Sequence, residues 1–112
     1  MIAPGLYVMR FLGQANFGAG VLYVGHGIIA GADANDVLYD GTYEEADGLF
    51  KGRAVMSMPS GADLVTGMAV PPGQSIAISA DWPLDFANGE PQQITVEGGL
   101  VTVTLHKIRD LP

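Results

Sequence analysis

Three glycines in "GVLYVGHGIIAGADANDVLYDG" (residues 20–41), namely Gly25, Gly27 and Gly31, stand close to the Gly-x-Gly-x-x-Gly spacing that cradles a pyrophosphate. That chemistry requires the loop to run into a helix whose free N–H groups and dipole face the anion. The residues after Gly31, "ADANDVLYDG", predict a turn followed by a β-like run, and the spacing is one residue too long. Hairpin corners at "VGHG" and "GADAND" are expected instead, with Gly, Asn and Asp supplying the positive φ angles.

The remaining chemical candidates are sparse. His26 falls in the first of those turns and His106 on the polar face of a C-terminal run, and two histidines among scattered carboxylates do not make a metal-ligand pattern. No Gly-x-Ser-x-Gly elbow occurs, and no motif couples Ser57, Ser60, Ser75 or Ser79 to a base. Asp81 and Asp85 have the chemistry for acid–base work, yet nothing distinguishes them from surface carboxylates. The expectation is therefore no catalytic residue, no metal and no cofactor.

Charge carries more information. Twelve acids against five bases give a formal charge of −7, which repels nucleic-acid phosphates and makes direct DNA binding unfavourable. Asp33, Asp36, Asp40, Glu44, Glu45 and Asp47 crowd into a stretch without Lys or Arg. Such a cluster suits a basic protein partner, or simply a solvated face.

The elements that must position these residues follow from length and pattern. A chain of 112 residues suits one domain, and without cysteine it must be held by packing and backbone pairing, as a reducing compartment allows. The start, "MIAPGLYVMRFLG", lacks a basic segment followed by a long apolar run, and no apolar run approaches the roughly 20 residues that span a bilayer. A cytoplasmic protein without membrane contact is expected.

Apolar and polar residues alternate at period two in short runs bounded by Gly, Pro, Asn and Asp. The pattern predicts an all-β antiparallel meander of about eight strands near 5–12, 19–25, 27–32, 37–44, 48–58, 75–82, 92–97 and 100–108. In "LVTVTLHKI", Val101, Val103 and Leu105 share one face and Thr102, Thr104 and His106 the other. Phe50, Gly52, Ala54 and Met56 likewise oppose Lys51 and Arg53, and Ile76, Ile78 and Trp82 are expected inside. Residues 59–74 read as a long connection with a short helical turn around Ala62 to Thr66, and "PLDFANGEP" (83–91) as a second loop.

The first two strands are apolar on both faces, since Leu6 and Val8 oppose Tyr7, Met9 and Phe11, and Leu22 and Val24 oppose Val21 and Tyr23. A second apolar face meets another copy of the chain or lines a ligand cavity. A homodimer through Leu6, Val8, Leu22 and Val24 is the first expectation. The second is a small apolar-ligand carrier with a cavity lined by Tyr7, Phe11, Tyr23, Tyr39 and Trp82, although a chain of this length needs the same side chains to fill its interior.

The segment "GLYVMRFLGQANFGAGVLYVGHGIIAGADANDVLYDGTYEEADG" resembles the N-terminal half of the GrlR-type negative regulators of type III secretion, through Gly5-Leu6-Tyr7, Gly18-x-Gly20-Val21-Leu22, Gly31-x-Asp33 and Tyr39-x-Gly41 followed by acids. The resemblance covers roughly the first 55 residues; the second half matches only as further β-structure. It implies a calycin-like, partly open β-barrel that dimerises and binds a transcriptional activator without touching DNA. The family's exposed Glu-Asp-Glu-Asp run has its counterpart in "EEADG": Glu45 and Asp47 match, Ala46 and Gly48 do not, and Glu44 adds a carboxylate just before. Glu44, Glu45 and Asp47 are the partner-binding residues this implies; acids and glycine at a turn between Tyr43 and Leu49 are the alternative.

Overall fold

The computed structural model describes residues 2–96 and 99–112. The long strands are β1 (Gly5–Leu12), β2 (Phe17–Gly25), β3 (Ile28–Asp33), β4 (Leu38–Ala46) and β5 (Leu49–Met58), followed after a short ribbon by β8 (Gln74–Pro83), β9 (Gln92–Val96) and β10 (Gly99–Asp110). They form one antiparallel sheet in the order β8-β5-β4-β3-β2-β1-β10-β9, so sequence neighbours pair throughout except where β1 meets β10 and β5 meets β8. The sheet curls into a nearly closed barrel whose unsealed seam lies between β8 and β9. Across that seam Trp82 donates its Nε1–H to the carbonyl of Gln93 (3.2 Å). The predicted end of the seventh strand, at 97, lies outside the described residues.

Turn chemistry drives the meander. β2 and β3 are joined by His26-Gly27, and β4 and β5 by Asp47-Gly48. Both residues of each pair have positive φ (52° and 77°; 56° and 74°), the two-residue hairpin geometry whose twist matches that of the strands it connects. "VGHG" is thus a hairpin corner, as its spacing predicts, and "EEADG" holds another. At the β3–β4 corner Asp33 accepts the N–H groups of Asn35 (2.8 Å) and Val37 (3.3 Å), with Asp36 at φ 60°.

Alternation then sorts the side chains. Tyr7 and Met9 (β1), Leu22 and Val24 (β2), Met56 and Met58 (β5), and Val101, Val103 and Leu105 (β10) are buried inside the barrel. Two plugs close its ends. At one, Phe86 from the β8–β9 loop enters an aromatic cluster, its ring centroid 4.6 Å from Phe50 and 5.7 Å from both Tyr7 and Trp82. Tyr43 stacks on Phe50 at 5.1 Å, and the Lys107 ammonium, on the same side of β10 as Leu105 and paired in register with Tyr7, lies 5.5 Å from the Tyr7 ring centre.

The opposite plug corrects an expectation. Residues 62–66 do not make a helical turn: Ala62–Asp63 (β6) pairs with Ala69–Val70 (β7) in a small ribbon. Gly61, Gly67 and Gly73, all at positive φ, turn its corners, and burial pulls Leu64 and Val65 down into the barrel mouth, which a helical turn facing solvent would not allow. The Val65 carbonyl accepts the N–H groups of Ala15 (2.8 Å) and Asn16 (3.1 Å), fastening the ribbon to the β1–β2 turn.

Candidate functional site

The acidic segment is built on β4 and its two flanking turns. Because successive strand residues point to opposite sides, Asp40 and Glu44 project from the outer face, while Tyr39, Tyr43 and Glu45 lie on the inner side. Asp36 stands exposed in the preceding turn and Asp47 in the following one. The three residues of the expected partner-binding set therefore do different things. Glu44 faces outward across from Lys51. Asp47 sits in the hairpin turn and pairs with Lys51 at 3.4 Å, both ends solvated. Glu45 receives the N–H of Ile2 at 3.0 Å, and that bond holds its carboxyl below the ordinary Glu value. Asp40 and Glu44 thus share the outer face of β4, Asp36 and Asp47 are exposed in its two flanking turns, and Glu45 is committed to the barrel end.

The four residues expected at a dimer face are split in the same way. Leu6 pairs with Tyr23 and Val8 with Val21, and these four point outward. Leu22 and Val24 pair with Tyr7 and Gly5 and are buried inside, so they do not share a surface with Leu6 and Val8. The outer apolar surface is instead continued by β3, β4 and β5. One row runs Leu6, Tyr23, Ala30, Asp40, Val55, and the next runs Val8, Val21, Ala32, Leu38, Ser57. Val21, Ile28, Leu38 and Val55 each leave more than two-fifths of their surface in solvent. The acids of β4 thus border an outward apolar surface spanning five strands.

Of the expected cavity residues, Tyr7, Tyr39 and Trp82 are buried inside and Phe11 is half-buried against the core, whereas Tyr23 is on the outer face. Tyr39 donates its hydroxyl to Asp33 Oδ2 at 2.8 Å; burial, and then the Asp33 charge, push its phenol well above the ordinary tyrosine value. Burial raises Tyr7 too, partly offset by Lys107. The interior keeps a void of about 100 Å³ between the two plugs. His26 and His106 are far apart in the barrel, one in the β2–β3 turn and the other on β10, where it bridges to Asn88. Among the described residues no group of His, Asp and Glu is arranged to hold a metal ion.

The sequence reading missed the plug residues Phe86, Leu64 and Val65. Their only signal is that large apolar residues stand inside segments otherwise rich in Pro, Gly and polar residues. No known protein family matches the chain, and no curated protein is significantly similar to it.

Proposed function

We propose that this chain is a regulatory protein that acts by binding other proteins: a GrlR-like anti-activator that occupies the basic surface of a DNA-binding activator and works as a homodimer. The observation that carries the reading is the run of exposed carboxylates on β4 and its two flanking turns, Asp36, Asp40, Glu44 and Asp47, beside an exposed apolar surface. Carboxylates fixed on a hairpin compete with phosphates for the same Arg and Lys side chains. Such pairs steer association and set partner choice more than they add affinity. The apolar rows from Leu6 to Val55 supply the second contact, between two copies of the chain.

The test reverses Glu44 and Asp47 to Lys while keeping Glu45, whose carboxylate anchors the N–H of Ile2. Association with the activator is expected to be lost in a variant with a wild-type melting curve, and in the wild type to slow steeply as salt rises. Unchanged affinity in the folded variant would remove the acidic strand as the contact.

A further inference from the structure

The interior void is unevenly walled. On β5 and β8 the inward positions next to it are small, Gly52, Ala54 and Ala80, whereas β1, β2 and β10 face them with Met9, Leu22 and Leu105. Register places Ala54 between Gly41 on β4 and Ile78 on β8, and Gly52 between Tyr43 and Ala80, so the small residues form one patch of the wall. The Phe50 ring and the Ile29 side chain lie close over Gly52, so the open wall is at Ala54 and Ala80. Of the polar residues that line it, Asp33 uses both oxygens on Tyr39, Asn35 and Val37, while Asn35, Arg53, Asp63 and Ser79 stand exposed at its margin, and among the described residues no buried side-chain polar atom lacks a partner.

We infer that this void is a binding site for a compact, uncharged, nonpolar molecule, of the size of a single aromatic ring or a short alkane. An apolar cavity of roughly 150 Å³ stays dry and takes up benzene or xenon, and about 100 Å³ is the same class of space. It falls well short of the ~300 Å³ at which drug-sized ligand pockets begin, so a long-chain fatty acid does not fit. With no unpaired side-chain donor or acceptor in the buried part of the wall, a charged or hydrogen-bonding ligand held there would lose its water without replacement. The plugs occupy both barrel ends, while β8 and β9, the two strands flanking the unpaired seam, both contribute wall residues, including Ile78 and Ile94. Parting that seam breaks no ladder between paired strands, since β8 and β9 are not neighbours in the sheet. The site stands apart from the outer acidic strand, and its test does not depend on any partner protein.

The experiment follows the methyl resonances of the intact chain under xenon pressure and during titration with benzene. Saturable shifts are expected at the methyls of Met9, Met56, Ile29 and Ile78, with those of the outward Val21 and Val55 unmoved. Ala54→Leu puts three more carbons into the void and should reduce the benzene response at least tenfold; Ala80→Val does the same more mildly if the larger side chain disturbs folding. Ile78→Ala enlarges the space and should tighten benzene binding severalfold. Shifts confined to outer methyls, no saturation, or an unchanged response in a natively folded Ala54→Leu would overturn the site. Tighter binding of decanoate than of benzene would overturn the size limit.

Discussion

Replacing Phe86 with alanine tests how the barrel is closed. Its ring is almost fully buried and meets Tyr7, Phe50 and Trp82, the contacts that hold the β8–β9 loop in the barrel end. Deleting a buried Phe side chain costs about 3–5 kcal/mol, more where the surroundings cannot collapse into the gap. Here the new space would join the existing void, which Phe86 itself lines, so the upper half of that range is expected. With an unfolding entropy of about 2.1 cal/mol/K per residue, the loss over 112 residues amounts to a melting temperature lower by about 17–21 °C. Urea unfolding followed by fluorescence reads the event directly, because Trp82, 5.7 Å from Phe86, is the single tryptophan. The exposed Leu84 in the same loop is the control, and its alanine variant should stay within about 0.5 kcal/mol of wild type. A Phe86→Ala loss below about 1 kcal/mol with native near-ultraviolet dichroism would refute the plug.

Three other perturbations follow from the same framework. Gly48→Ala places a Cβ in open space but at φ 74°, so its expected cost of about 1–2 kcal/mol in denaturant unfolding is purely conformational; no loss would mean the turn relaxes. Trp82→Phe keeps the ring in the aromatic cluster but removes the bond to the Gln93 carbonyl; about 1 kcal/mol and faster amide exchange in β9 are expected, and unchanged exchange would show that the bond does not hold the seam. Alkaline pH should unfold the protein through its tyrosines. Tyr39 and Tyr7 have phenol values raised above 10.0 in the folded state, so their contribution is complete below that value and is lost as pH climbs past it, when the unfolded chain ionises first. Tyr39→Phe should flatten the fall in melting temperature above pH 10, with Tyr7 retaining part of it, and an unaltered alkaline limb would contradict the assignment.

Most of the fold is legible in the sequence because each strand is short, alternating and ended by residues that favour positive φ. His26-Gly27 and Asp47-Gly48 are the clearest instances, and they dispose of the nucleotide-loop reading without any appeal to tertiary contacts. The inward face is legible wherever its opposite is polar, as with Val101, Val103 and Leu105 against Thr102, Thr104 and His106. It is not legible on β1 and β2, where both faces are apolar. There the pairing of Leu6 with Tyr23 decides, and that register is set by the four-residue turn between the strands rather than by composition. Leu22 and Val24 consequently fall inside although the dimer expectation placed them outside.

The acidic segment shows the same dependence on parity. A strand predicted to end at residue 44 leaves Glu45 free, whereas β4 continues to Ala46 and turns Glu45 toward the inner side, where the N–H of Ile2 takes it up. Phe86, Leu64 and Val65 escape the sequence reading for a different reason. They act from irregular segments, where no period marks which side chain turns inward, and only the open barrel ends give them a place to go.

The most direct test of the proposed function is native mass spectrometry of the chain captured gently from its source cells. The account predicts two copies of the 11.7 kDa chain in complex with a basic DNA-binding protein, and loss of that protein alone when Glu44 and Asp47 are reversed to Lys. A bare monomer from the wild type, or the same complex retained by the folded reversal variant, would contradict it.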